Sequence, residues 1–251
     1  MPLRRQGNKS RIAAEIIKHF PPHSVYIEPF FGAGGLFFNK PKARYNILND
    51  LDDEVFNFWC VLRDNKDALR EELKKPPIHS SVWNHFKANR ETDPVRRAAR
   101  FLYLSNLGYM GSFDTMRVGA RINTKEVALD RFDSYCELIT GCVFTKYDFR
   151  DFFKTIERKR DQNILCYCDP PYIGTSGKIY APFKEQDFVD LLDILMRQNF
   201  KFAVSEFESE FVMNESMARG LNITTIAERC NLKNRRIEIL ITNYDKHLSL
   251  F

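Results

Sequence analysis

The stretch Asn163-Ile164-Leu165-Cys166-Tyr167-Cys168-Asp169-Pro170-Pro171-Tyr172 restricts the possible folds more than any other part of this 251-residue chain. Its five apolar residues, Ile164–Cys168, run without the alternation of a half-exposed strand. That is the pattern of a short strand covered on both faces, as in a parallel sheet with helices on either side. Pro170-Pro171 cannot continue a central ladder, because proline lacks the amide donor and its φ is fixed. The chain therefore leaves the sheet at Asp169, carrying a carboxylate, rigidly directed carbonyls and the Tyr172 ring to the sheet edge. Such parts form a cradle for a planar amino group. Taken alone, an ordinary strand ending in a proline turn explains the tetrad equally well.

Upstream, residues 25–30 form a first strand, and Gly32-Ala33-Gly34-Gly35 a tight turn expected to lead into a helix beginning near Leu36. Glycines at that point let the backbone approach a ligand closely. Residues 44–50 form a second strand ending in Asp50, the place where an acid commonly grips ribose hydroxyls. An isolated Gly-Ala-Gly turn is weak evidence, and a strand-ending Asp is often only a helix cap. The ordered combination points to an adenosine-containing cofactor.

Around this pair the chain alternates strands and helices. A helix is expected from about Ser10, with Ile12, Ile16, Ile17 and Phe20 on one face and Pro21-Pro22 as its stop. No strand is expected between Asp50 and about Cys142. Helices there are marked by Val55, Phe58, Trp59 and Leu62, by residues 67–75 and 80–90, and by a longer run from Pro94 to Leu107. A long loop, 108–121, follows. Between Pro94 and Lys125 the basic residues Arg96, Arg97, Arg100, Arg117, Arg121 and Lys125 outnumber the single acid Asp114, and Tyr109 and Phe113 lie among them. Cations interleaved with aromatics suit a surface that grips phosphates and contacts bases. By itself, this segment is better explained as a solvated helix face and an ordinary loop.

The sheet resumes at residues 142–147, followed by Asp148-Phe149 and a helix from Asp151. After the Ile164–Cys168 strand comes a loop, 173–183, with Gly174, Gly177 and Tyr180, long enough to act as a lid. A helix over 187–196, strands over 200–204, 221–227 and 237–243, and a helix over 212–219 complete the pattern. The expected fold is α/β, a mostly parallel Rossmann-like sheet interrupted by a mostly helical insertion. Its division is residues 1–54 and 141–251 for the sheet domain and 55–140 for the insertion.

A hydrophobic content of 44% and a charged content of 28% provide a full core and argue against disorder, and the net charge of +5 suits an anionic partner. The six cysteines are scattered without zinc-like pairing, as expected of reduced cytosolic thiols. There is no His-Glu-x-x-His zinc site, no phosphate-binding Gly-x-x-x-x-Gly-Lys-Ser/Thr loop and no Pro-Cys nucleophile of the kind that attacks cytosine carbon. No apolar signal core or membrane-length run is present, so a cytoplasmic protein with no membrane partner and no metal is expected.

The chemistry that uses these parts is alkylation of an amine conjugated to a ring. The exocyclic nitrogen of adenine delocalises its lone pair into the ring and is a poor nucleophile. A carboxylate such as Asp169 and the Pro170 carbonyl, each accepting one N–H, would favour a tetrahedral nitrogen whose lone pair points at an electrophilic methyl. Tyr172 can stack on the base, so Tyr172→Phe is expected to be tolerated. An amine inside a duplex is out of reach, so the base has to be flipped out.

On these residues the chain resembles the Dam-type DNA adenine-N6 methyltransferases, the alpha group of the D12 class, nearly end to end. Gln6-Gly7-Asn8-Lys9 is similar to the family's N-terminal Gly-Gly-Lys motif, and Glu28-Pro29-Phe30-Phe31-Gly32-Ala33-Gly34 to its S-adenosylmethionine motif. Asp50 matches the ribose-binding acid, Asp148-Phe149 the motif beside the cofactor adenine, and Asp169-Pro170-Pro171-Tyr172 the catalytic tetrad. The ending Glu238-Ile239-Leu240-Ile241-Thr242-Asn243-Tyr244 is also family-like.

The resemblance implies a class I methyltransferase fold with a target-recognition insertion. It implies S-adenosylmethionine held by Arg5, Lys9, Glu28, Pro29, Phe30, Gly32, Gly34, Asp50, Asp148, Phe149 and Asp169. It also implies double-stranded DNA contacted by Arg96, Arg97, Tyr109, Met110, Ser112, Arg117, Arg121 and Asn123. Arg5 stands where family members usually carry an aromatic residue. Met110-Gly111 and Asp114 replace the usual Asn-Gly and site-reading Arg, and Arg121-Ile122-Asn123-Thr124 replaces Phe-Asn-Val-Pro, so the family's GATC target is not carried over. The resemblance admits a monomer or weak dimer and a cognate restriction endonuclease as a partner in the same system. A nicotinamide dehydrogenase would share the glycine turn and ribose acid but would leave the tetrad and insertion unexplained, and a DNA-binding module without chemistry would have no use for an intact tetrad.

Overall fold

The strands of the computed structural model are β1 Val25–Glu28, β2 Tyr45–Asn49, β3 Val143–Thr145, β4 Ile164–Cys168, β5 Lys201–Phe207, β6 Asn222–Cys230 and β7 Arg235–Thr242. They form one sheet in the order β3-β2-β1-β4-β5-β7-β6. The structure describes residues 3–5, 7–118, 124–157, 163–174, 182–230 and 235–245. Arg121, Asn123, Gln6 and the Gly177 and Tyr180 part of the expected lid lie outside them. Parallel pairing joins β1 to β2 and β4, β2 to β3, and β4 to β5. β7 runs antiparallel to both β5 and β6. The strand order turns back between β1 and β4, so their carboxyl ends flank the crevice where ligands bind in a doubly wound sheet.

The unbroken apolar run of β4 is buried at all five positions, as its pattern required. Period-2 alternation then sends its side chains to two different cores. Leu165 and Tyr167 join Tyr26, Leu48, Ala203 and Leu240 on one face. Cys166 and Cys168 join Val25, Ile27, Val204 and Ile241 on the other.

The helices are α1 Ala13–Ile17, α2 Asp53–Asp64, α3 Lys66–Lys74, α4 Ser80–Ala88, α5 Pro94–Leu107, α6 Thr124–Leu129, α7 Phe132–Ile139, α8 Phe149–Phe152, α9 Glu185–Met196 and α10 Glu210–Ala218. In α9, Phe188, Leu191, Leu192 and Leu195 recur at helical spacing and are completely buried. Each such side chain contributes about 1.5–3 kcal/mol by leaving water. The helical stretch between β2 and β3 shares one core with the sheet: Phe58, Trp59 and Leu62 of α2 and Leu102 of α5 lie in the same cluster as Tyr26 and Leu48. Helix starts follow local chemistry. Asp52 caps α2 by accepting from the amides of Glu54 and Val55, and Asp93 caps α5, whose first residue is Pro94.

Several elements depart from expectation. The glycine turn leads only into a 3-10 turn, Phe37–Asn39, instead of a full helix. Lys40, held extended ahead of Pro41, ends it. Phe37 and Phe38 are instead committed to ring contacts with Tyr26, Phe31, Trp59 and Tyr135. The helix expected from Ser10 is split into a 3-10 turn, Lys9–Arg11, and the short α1. Helices α6 and α7 were not foreseen individually. No described helix is long and apolar enough to cross a membrane.

Candidate active site

The carboxyl ends of β1, β4 and β5 converge on Asp169. The N-terminal segment lies across this edge because Gly35 leaves room for it: a Cβ there would stand 2.2 Å from Asn8 Oδ1 and 2.8 Å from the Lys9 amide. Gly34, at φ +70°, lies in the left-handed region, and a Cβ on it would meet the Phe38 ring at 2.5 Å. Ser105 of α5 pins the same segment from the other side, accepting from the Arg4 amide at 3.1 Å and donating to the Arg4 carbonyl at 2.5 Å.

These supports place the Lys9 ammonium, 3% exposed, inside the site. It lies 2.6 Å and 2.8 Å from the two Asp169 oxygens, donates to the Gly7 carbonyl at 2.9 Å, and stands 3.6 Å from Glu238 Oε1. It also sits over the Tyr172 ring, 4.6 Å from its centroid. The Tyr172 hydroxyl donates to Glu238 Oε1 at 2.6 Å, and its ring meets Phe207 in a T-shaped contact at 4.6 Å. Tyr172 is therefore buried. The hydroxyl is thus a close donor to Glu238, a contact that Tyr172→Phe would remove and that stacking alone does not include. Pro170 is buried and Pro171 half-buried.

Two further carboxyls line this edge. Glu206 accepts from the Ile173 amide at 2.7 Å through Oε1 and from the Phe207 amide through Oε2, tying the residue after the tetrad to the end of β5. Burial pushes its pKa up to about 8, against the two amides, which act to lower it. Glu28 accepts from the Tyr26 hydroxyl at 2.8 Å, and burial holds its pKa well above the usual carboxylate range. Burial also raises Asp169, with Lys9 opposing the shift, and keeps the Tyr172 phenol protonated far above its ordinary value.

Toward β2 the site changes character. Asp50 accepts from the Gly32 amide at 2.6 Å and from the Asp52 amide at 2.9 Å, and burial, opposed chiefly by Arg5, lifts it to about 6. Gly32 is held in turn by Trp59, whose ring N–H donates to its carbonyl. Pro29 accepts from the Asn49 side chain. Arg5 pairs with Asp52 at 2.8 Å, and its guanidinium lies over the Phe101 ring. Phe30, Phe149 and Phe183 form an aromatic group with centroids 5.7–6.2 Å apart. Asp148 caps α8 beside them. Acids at Asp50 and Asp148, with this aromatic group, suit the hydroxyls, amino group and ring of an adenosine, so these residues fit S-adenosylmethionine.

The cations expected on the other side are distributed unevenly. Arg96 is exposed, as is Tyr109 at 60%. Arg97 is held by Asp53 and Glu54. Arg100 is buried and donates to the Phe86 and Asn89 carbonyls, and Lys125 donates to the Lys74 and Pro76 carbonyls. An antiparallel bridge between Gly108 and Met116 closes the loop. Within it, Met110 lies in a 3-10 turn, Tyr109–Gly111, Ser112 bonds Asp114, and Arg117 is half-buried, its Nε without a hydrogen-bond partner among the described residues.

The sequence reading gave no role to Glu206, Phe207 or Glu238. The available signal was an acid inside an apolar strand, in Phe202-Ala203-Val204-Ser205-Glu206-Phe207 and in Ile237-Glu238-Ile239. Among the described residues no cluster of His, Cys, Asp and Glu could hold a metal ion.

A family model described as D12 class N6 adenine-specific DNA methyltransferase matches residues 6–236. A DNA adenine methylase of Haemophilus influenzae is 28% identical over 261 residues, covering 97% of this chain and 79% of that protein. The DNA adenine methylase of Escherichia coli K12 is 26% identical over 266 residues, covering 98% and 81%. Among solved structures, the N-terminal domain of human METTL16 in complex with SAH aligns with a TM-score of 0.41 at 14% identity, covering 95% of this chain and 68% of that one. An rRNA methylase of Streptococcus thermophilus aligns with a TM-score of 0.40 at 7% identity, covering 93% and 96%.

Proposed function

We propose, for a chain that belongs to the D12 class N6 adenine-specific DNA methyltransferase family, that Asp169, Pro170, Pro171 and Tyr172 activate the amine of an adenine flipped out of duplex DNA. The enzyme methylates adenine N6 in DNA using S-adenosylmethionine, on a class I methyltransferase sheet. When bound, the cofactor supplies an electrophilic methyl group on a sulfonium. Asp50 and Asp148 would hold its ribose and adenine amino group, Phe30 and Phe149 would contact its adenine ring, and Glu28, Pro29, Gly32 and Gly34 would form the turn beneath it. Arg5 and Lys9 complete that wall.

The observation that carries the reading is the position of the Lys9 ammonium. A nitrogen with N–H donors already sits against both Asp169 oxygens and over the Tyr172 ring. A substrate amine in that place would donate one hydrogen to Asp169 and the other to the Pro170 carbonyl, freeing its lone pair for the methyl. Burial of the carboxylate strengthens that interaction, and no covalent intermediate with the protein is needed.

Residues 55–140 act as the target-recognition unit and residues 1–54 and 141–251 as the catalytic one. Arg96, Tyr109, Met110, Ser112 and Arg117, with Arg121 and Asn123 outside the described residues, would meet the duplex, and Arg97 would do so only after leaving Asp53. One chain carries both halves of the site, which supports action as a monomer or weak dimer. A restriction endonuclease sharing the target is the partner such modification would serve. Methylation-aware sequencing of DNA from cells expressing the wild type and Asp169→Ala tests this. Adenine methylation at one recurring site in the wild type alone is expected, and methylation by the variant would remove Asp169 from the mechanism.

A further inference from the structure

The strand that separates β5 from β6 brings one acid to the catalytic edge. β7 pairs antiparallel with β5, with Glu238 opposite Phe207. Glu238, completely buried, thereby reaches two groups of the tetrad's surroundings at once: the Tyr172 hydroxyl at 2.6 Å and the Lys9 ammonium at 3.6 Å.

An ammonium carries three N–H donors and no acceptor. Here Lys9 directs them at Asp169 and the Gly7 carbonyl, with Glu238 just beyond hydrogen-bonding range. This creates a conflict at the moment of reaction. A carboxylate neutralised by a contacting ammonium is a weakened acceptor for an amine N–H, and the ammonium also occupies the space over Tyr172. For the adenine amine to reach Asp169, the Lys9 head has to withdraw. In a buried site it cannot do so without another anion to receive it.

We propose that Glu238 is a positioning residue that receives the Lys9 ammonium when the adenine amine takes its place on Asp169, while fixing the Tyr172 ring through its hydroxyl. The head has only to close the 3.6 Å separation to a hydrogen bond. Glu238 has a second effect on the charge balance. One ammonium against Asp169 alone leaves no net charge, whereas Asp169 and Glu238 together leave one negative charge facing the positive charge that moves from sulfonium to amine. Fixed charge of that sign stabilises the transition state without reorganisation.

The inference rests on Asp169 being the acceptor of the substrate amine, and the test separates the two ideas. In a crystal of the wild type with S-adenosylhomocysteine and an oligonucleotide carrying the target adenine, Lys9 Nζ is expected within hydrogen-bonding distance of Glu238 and withdrawn from Asp169. An amine on Asp169 with Lys9 still bound there would overturn this inference alone. An amine remote from Asp169 would overturn the reading beneath it as well.

Glu238→Gln keeps the shape and an acceptor for Tyr172 but removes the charge. Its single-turnover rate should fall roughly 10–100-fold, with cofactor affinity, DNA affinity and melting temperature retained. In a Lys9→Met background, where no ammonium needs a second partner, the same change should cost much less. Equal losses in both backgrounds, or a wild-type rate in Glu238→Gln, would leave Glu238 as a purely structural acid. The wild-type crystal decides the matter even if Glu238→Gln does not fold.

Discussion

Lys9 meets Asp169 at 2.6 Å with Glu238 3.6 Å away, all on one sheet edge, while Arg96 and Tyr109 stand in solvent on the helical side of the molecule. The two regions are built for different tasks. At the proposed methyl-transfer edge the charges are desolvated and hold one another, and backbone amides fix Glu206 beside them, so the acids are in place before substrate arrives. Along the stretch proposed to face DNA, several cations that look available in the sequence are already engaged: Arg97 with Asp53, Arg100 with two carbonyls, Lys125 with two more. Counting basic residues overstates a binding surface. The useful count is of those with no better partner inside the fold.

Substitutions can break or sharpen this contrast. The largest effect belongs to the prebuilt edge: Asp169→Ala should lower the single-turnover methylation rate by roughly 10²–10³-fold or more while leaving DNA affinity within a few-fold. Rapid-quench assays beside fluorescence-anisotropy titrations would check it, and parallel losses in both would mean the two regions are not separable. Next, Gly35→Ala forces a methyl against the Asn8 side-chain oxygen and the Lys9 backbone amide, so a destabilisation of about 1–3 kcal/mol is expected in denaturant melts, with a loss of activity beyond it because Lys9 is displaced.

The buried acids add a pH signature. Glu206, lifted to about 8, keeps its proton in the folded chain at pH values where the unfolded chain has lost it. The native state then binds more protons, so stability should fall as pH rises from the ordinary carboxylate range to about 8, then level off. The slope due to one such group is at most about 1.4 kcal/mol per pH unit. Glu206→Gln should flatten that decline between pH 5 and 8 in thermal melts; an unchanged slope would assign it to other groups, such as Glu28 or Asp50. Smaller effects are expected on the proposed DNA side. Arg117→Ala should weaken duplex binding by about tenfold and reduce the salt dependence by roughly one phosphate contact. Arg97→Ala should change DNA affinity less than Arg117→Ala and instead cost up to about 1 kcal/mol of stability, because its ion pair with Asp53 is partly exposed. The reverse order in titrations at several salt concentrations would undo the distinction between engaged and available cations.

Much of this was legible in the chain. Ile164–Cys168 announced a doubly covered strand, Asp169-Pro170-Pro171 its exit, and Asp50 the end of the neighbouring strand, because these features depend on local chemistry and residue spacing. What escaped depended on contacts between distant segments. The helix expected after Gly35 was cut short by Pro41 and by aromatic side chains drawn to Trp59 and Tyr135. Glu238 looked like part of a strand, and only its placement opposite Phe207 brings it to Tyr172. The fates of Arg97, Arg100 and Lys125 likewise turned on partners 11–51 positions away.

The placement of β7 between β5 and β6 bears on how the molecule is made. A ribosome releases residues 235–242 after the other strands described in the sheet, so until they emerge β6 has no neighbour in it and the Tyr172 hydroxyl lacks Glu238. Competence would then arrive abruptly with the final insertion, and a nascent chain stalled before it would hold the tetrad without the acid that steadies it.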